Sequence, residues 1–111
     1  MGKDERSVQL RKGVIELAIL ALLRDKPRYG GEIVDELTAH SGLESSAGTV
    51  YPLLTRLKSA DFVYTTWQES PVGPPRKYYT LTTTGRTELR ALADSWREMN
   101  GALAGILEDD R

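Results

Sequence analysis

Residues 48–57 read GTVYPLLTRL and residues 73–82 read GPPRKYYTLT, and the fold turns on how these two stretches are joined. In the first, Val50, Leu53, Leu54 and Leu57 recur at helical spacing and make an inner face. That leaves Thr49, Tyr51, Thr55, Arg56 and Lys58 pointing outward. Ser46 is a good N-cap, and Pro52 lies early, where a missing N–H does least harm. A helix is therefore predicted from about Ser46 to Ala60. After it come FVYTTWQE (62–69), rich in β-branched and aromatic residues, then SPVGPP (70–75) and RKYYTL (76–81). Strand, rigid turn, strand: the pattern is a hairpin.

Upstream, a second helix is predicted from about Tyr29 to His40, with Ile33, Val34 and Leu37 as its buried stripe and Gly42 as its stop. Gly30 and Gly31 each cost roughly 1 kcal/mol of helix propensity relative to Ala. They mark either a loose helix start or close backbone packing. The first helix is predicted from about Ser7 to Arg24. Leu10, Val14, Leu17, Ala18, Ala21 and Leu22 recur at helical spacing, while Ile15, Ile19, Leu20 and Leu23 fill the other sides. A helix apolar nearly all round needs cover nearly all round, which in so short a chain points to a second subunit as well as the core. Pro27 should end it.

Downstream, a last helix is predicted from Thr82–Thr84 to about Leu107. Leu89, Leu92, Trp96, Met99, Leu103 and Ile106 are spaced 3, 4, 3, 4, 3, the a/d seam of helices that pair across an interface. It lasts under three heptads, so it assists dimerisation and is no free-standing coiled coil.

Helix, helix, helix, hairpin, helix, with short connections, is the order of a winged helix-turn-helix: mainly α with a β-hairpin. In that arrangement the third helix enters the major groove and the hairpin reaches along the DNA backbone. Residues 1–81 would form the DNA-binding part and 82–111 a dimerisation helix, in one compact unit. In the loop Pro71–Lys77 the prolines stiffen the tip, so Arg76 and Lys77 lose less freedom on meeting phosphates.

The 111 residues have room for one domain, whose modest core makes oligomerisation the main source of further buried area. Cys is absent, which fits a reducing cytoplasm. The apolar run 13–23 imitates a secretion signal behind Lys3, Arg6, Arg11 and Lys12. Glu16 interrupts it, however, no small-residue cleavage site follows, and it is short of a membrane span. The net charge of −1 argues against indiscriminate polyanion binding. Its placement is uneven: residues 1–81 carry 11 basic and 10 acidic side chains, and residues 82–111 carry 4 and 6. What matters for DNA is a local patch, and residues 70–80 hold Arg76 and Lys77 with no acid. Catalysis and metal binding are not expected. His40 is the single histidine, placed for a helix-end interaction or plain exposure, and no paired-carboxylate or Ser-His-Asp pattern stands out. No cofactor is expected.

These residues resemble those of the PadR-type transcriptional regulators, in the short branch with a single C-terminal helix. The resemblance runs through LRKGVIELAILALL (10–23), PRYGGEI (27–33), SGLESSAGTVYPLLTRL (41–57), GPPRKYYTLT (73–82) and TGRTEL (84–89). It implies a homodimeric bacterial repressor, cytoplasmic and associated with the nucleoid, that releases double-stranded operator DNA when an effector binds. Thr49, Tyr51 and Pro52 would lie in the recognition helix, with Thr55 and Arg56 on the same outward side, and Arg76 and Lys77 would be the wing contacts. Gly31 departs from the bulky residue that many members carry after Tyr-Gly. In some short members a tryptophan in the last helix lines a cavity between subunits and stacks on flat aromatic ligands. The Ser95-Trp96 pair is similar, and Trp96 with Met99 is either such an effector site or filling for the dimer seam. The competing reading of the whole chain is a winged-helix protein-interaction module without DNA binding, which the acidic pI favours and the wing cations oppose.

Overall fold

The computed structural model describes the backbone of residues 2–108 and the side chains of residues 10–108. The Lys3 and Arg6 side chains and residues 109–111 of the expected dimerisation segment lie outside the described residues. The elements in chain order are α1 (Gly2–Leu22), β1 (Arg28–Tyr29), α2 (Gly30–Thr38), α3 (Ala47–Ser59), β2 (Val63–Gln68), β3 (Arg76–Leu81) and α4 (Thr83–Glu108). The strands form an antiparallel sheet in the order β1-β3-β2. This is the predicted winged-helix class, mainly helical with a hairpin, and β1 is an addition to it.

The core joins Ile15, Ile19, Leu20 and Leu23 of the α1 segment to Ile33 and Leu37 of α2 and to Val50, Leu53, Leu54 and Leu57 of α3. Val63, Tyr79, Leu81 and Leu89 close it from the wing and α4. The inner face of α3 is the one expected. On α1, apolar nearly all round, the core takes Ile15, Ile19, Leu20 and Leu23, while Leu10 is exposed and Val14, Leu17, Ala18, Ala21 and Leu22 are only half-buried. A helix apolar on most sides has no period that says which side meets the core. The packing of α2 and α3 makes that choice.

Helix ends depart from expectation for identifiable reasons. α1 stops at Leu22, well before Pro27, through a tightened last turn. There Leu23 N–H is shared between the carbonyls of Ile19 and Leu20, and Arg24 N–H reaches that of Ala21. Arg28 Nε then donates to the Leu22 carbonyl at 2.8 Å, satisfying a group the helix leaves open. α2 starts at Gly30, because Tyr29 pairs with Tyr78 in the sheet. Ser46 occupies the N-cap of α3 without a side-chain capping bond.

The junction after α3 sets the wing. Phe62 N–H reaches the Leu57 carbonyl and Asp61 N–H that of Lys58, both at 3.0 Å, with Asp61 at φ 66°. This is the left-handed helix stop in which glycine is usual. Thr82 ties it to the far end of the hairpin. Its N–H donates to the Phe62 carbonyl at 3.1 Å and its hydroxyl to the Asp61 carbonyl at 2.6 Å, while the same hydroxyl caps α4 by accepting from Gly85 N–H at 2.9 Å.

Candidate nucleic-acid interface

α3 lies between α1 and the wing, and its exposed residues divide between the two. On the wing side, Tyr51, Thr55, Arg76 and Lys77 converge on a groove completed by Tyr29, Gly30, Trp67 and Tyr79. No acidic side chain lines it. On the α1 side, Thr49 and Pro52 line a second groove with Arg11 and Lys12. The predicted contact residues therefore form two clusters astride the helix.

In the wing, β2 and β3 pair in a register that sets Trp67 opposite Lys77 and Gln68 opposite Arg76. Lys77 Nζ lies 5.6 Å from the centre of the Trp67 ring, and the Arg76 guanidinium lies 4.4 Å from that of Tyr29. Tyr29 is itself held edge-on by Tyr78 at 5.5 Å. Each cation thus rests on an aromatic face, which restricts its rotamers and leaves its charge free to meet an anion. Tyr29 and Trp67 are the groove residues that the sequence did not single out. The Trp67 partnership follows from hairpin register once the turn is placed. Tyr29 carries no such signal, because its strand is too short to show alternation.

On α3, Tyr51 is partly exposed and its ring lies against Gly30, where any side chain would collide with it. Close packing is therefore the role of Gly30. Tyr79 is largely buried, and its hydroxyl is pushed above its ordinary pKa by desolvation and, secondarily, by Tyr51. Two expected contacts are modified. Thr55 donates its hydroxyl proton back to the Tyr51 carbonyl at 3.1 Å, so it faces outward as an acceptor only. Arg56 is engaged by Glu16 of α1 through both Nε and Nη2, and that hydrogen bond is the main cause holding its pKa above the ordinary value. The outward spacing of Arg56 is real, but its donor fork is occupied.

α4 corrects the predicted seam at one end. Leu89 is 5% exposed and belongs to the chain's own core, whereas Leu92, Trp96, Met99, Leu103 and Ile106 are exposed in a single chain. His40 Nδ1 lies 2.9 Å from the Glu36 carbonyl at the end of α2. Among the described residues no cluster of His, Cys, Asp or Glu could hold a metal ion, and no helix is long and apolar enough to cross a membrane.

Comparison with known proteins gives consistent matches. The model of the transcriptional regulator PadR-like family matches residues 19–91. A PadR-like transcription factor from Bacteroides fragilis is 43% identical, over 92% of this chain and 98% of its own, with a TM-score of 0.76. A PadR-like transcriptional regulator from Bacillus cereus is 33% identical over 89% of this chain and 96% of its own, with a TM-score of 0.80. Bacillus subtilis PadR in complex with operator DNA is 28% identical, over 70% of this chain and 45% of its own, with a TM-score of 0.66.

Proposed function

The chain belongs to the PadR-like family of transcriptional regulators, and from that premise we propose that it is a homodimeric repressor of operator DNA, released by a planar small-molecule effector. The family is one of regulators and not of enzymes. The observation that carries DNA binding is the wing-side groove, where Arg76 and Lys77 stand on aromatic faces beside the exposed edge of α3 with no acid among the lining residues. Phosphate contacts by the wing position the protein; Tyr51, with Thr49 and Pro52 toward the N-terminal end of α3, reads base edges. The operator complex of the Bacillus subtilis relative supports the same use of the fold. In this reading residues 1–81 bind DNA, residues 82–111 pair the subunits, and the protein works on the cytoplasmic nucleoid.

Dimerisation is supported by the exposed apolar row of α4 and by the half-buried apolar side of α1. Both want a cover that one chain does not supply. Trp96, 41% exposed near the middle of the row, would face its counterpart across the two-fold axis, and two flat rings with the adaptable Met99 suit a planar aromatic guest. Such a guest releases DNA only if it binds the DNA-incompetent spacing of the two recognition helices more tightly.

The test is anisotropy with a labelled duplex from the chain's own promoter and a random duplex, each across a salt series. Arg76→Ala with Lys77→Ala should weaken binding to both duplexes and flatten the salt slope, since each lost phosphate contact removes about 0.9 from it. Tyr51→Ala should reduce discrimination between the duplexes by about 1–3 kcal/mol. A wing variant that binds with wild-type affinity and slope overturns the assignment.

A further inference from the structure

Arg56 is the one arginine of α3, it points outward, and its side chain is 55% exposed, so it has the position of a phosphate contact. Its partner has not. The Glu16 side chain, on α1, is only 13% exposed, and it holds Arg56 through both oxygens, Oε2 on Nε and Oε1 on Nη2. The two residues differ in what separation would cost. Arg56 could turn to solvent or to a phosphate with little desolvation, but Glu16 would be left as a largely buried carboxylate with its hydrogen bonds lost, which is strongly unfavourable. Glu88 of α4 adds a further negative field at the same guanidinium. By contrast, Lys12, one turn before Glu16, is exposed on the rim of the groove beside Thr49.

We propose that Glu16 masks Arg56, keeping a recognition-helix cation off the DNA backbone and so holding down the sequence-independent part of DNA binding. The inference rests on the DNA-binding reading above. A phosphate contact made by Arg56 would strengthen binding to every sequence equally, because phosphates carry no sequence information. The genome offers a vast excess of non-operator sites, so a cation of that kind would hold more of the protein on them without improving discrimination. With Glu16 in place the pair presents no net charge to the duplex, and the wing remains the main electrostatic anchor. Glu16 is thus a positioning residue that acts through Arg56, and it touches no DNA itself.

The experiment uses the full chain and a random-sequence duplex, with affinity measured by anisotropy across a salt series. Glu16→Gln should release Arg56 to a phosphate. The slope of log affinity against log salt should steepen by about 0.9, and affinity at 0.1 M salt should rise by about 8-fold. Adding Arg56→Gln to Glu16→Gln removes both charges together and should restore the wild-type slope. Asp94→Asn, which removes an exposed charge of α4, controls for net charge alone and should not steepen the slope by a whole contact. A purely structural Glu16 would instead weaken binding at every salt without steepening the slope, and that result overturns the proposal. A double variant flatter than wild type by about 0.9 also overturns it, since Arg56 would then already hold a phosphate in the unmutated chain; with both charges removed, this arm stands even if Glu16→Gln alone fails to fold. Wild-type binding with indistinguishable slopes in all variants overturns the masking alone, whereas no salt-dependent binding by the unmutated chain overturns the DNA reading and the masking with it.

Discussion

A Cβ on Gly85 would overlap the carbonyl oxygen of Phe62, the same oxygen that accepts the Thr82 N–H. Backbone meets backbone there, so no rotamer change can relieve the contact. Gly85→Ala should therefore destabilise the fold by about 3 kcal/mol, the upper range for overpacking. That corresponds to a fall in melting temperature on the order of 10 °C, read by circular dichroism; a change of under 2 °C would show that α4 docks more loosely than described. Gly30 differs in kind, because what its Cβ would meet is the movable ring of Tyr51. Ser46, Pro52 and the inner row of α3 were all legible in the sequence, because their roles are local to one helix. The Glu16–Arg56 pair was not: 40 residues separate its members, and nothing in either segment names the other. Asp61 was equally silent, since it takes a left-handed position where sequence reasoning looks for Gly or Asn.

Among the elements, α4 divides into two parts with different duties. Gly85 and Leu89 are buried against the chain's own core, and beyond Ala93 the helix is exposed on every side. Heptad spacing runs across this change without a break, so the spacing reveals the apolar row and not the residue at which own-core packing ends. That boundary depends on where α1 stops covering α4. It also sharpens a prediction. Leu92→Asp with Leu103→Asp should turn the protein into a folded monomer, with wild-type helicity by circular dichroism and half the mass by light scattering. Either a collapse of helicity or an unchanged mass would remove the row from the interface. In the wing, paired strands and a proline-bearing turn were legible from composition, whereas β1 was not. Arg28 and Tyr29 become a strand only because the edge of β3 is there to pair with them.

Taken whole, the molecule extends 54 × 33 × 22 Å. An α4 of 26 residues accounts for about 39 Å of helix, most of it projecting past the core. A dimer built along such a helix would set its recognition helices roughly 34 Å apart if they read successive turns of one groove. The net charge of −1 is compatible with this, because the cations that matter are gathered on the wing while the acids concentrate in the C-terminal segment. The effector site needs two subunits. With Trp67→Phe leaving Trp96 as the single indole, titration with flat cationic dyes and phenolic compounds should quench fluorescence in the dimer. Trp96→Ala should abolish dye binding and leave the light-scattering mass unchanged. Equal dye affinity with and without Trp96 would leave the tryptophan as seam filling.

The helices, the hairpin and the family resemblance could be read from the chain alone, because periodicity, capping and turn chemistry act over a few residues and do not depend on what lies opposite. The same holds for Arg76 and Lys77, two cations directly after a proline-stiffened turn. Other features exist only between elements: the buried side of α1, the aromatic seats beneath the wing cations, the core position of Leu89, and the carboxylate that occupies Arg56. Each depends on which surfaces meet once the helices have packed. Contact between segments 40 residues apart is chosen by the shape and volume of the whole core, and no local pattern carries that information.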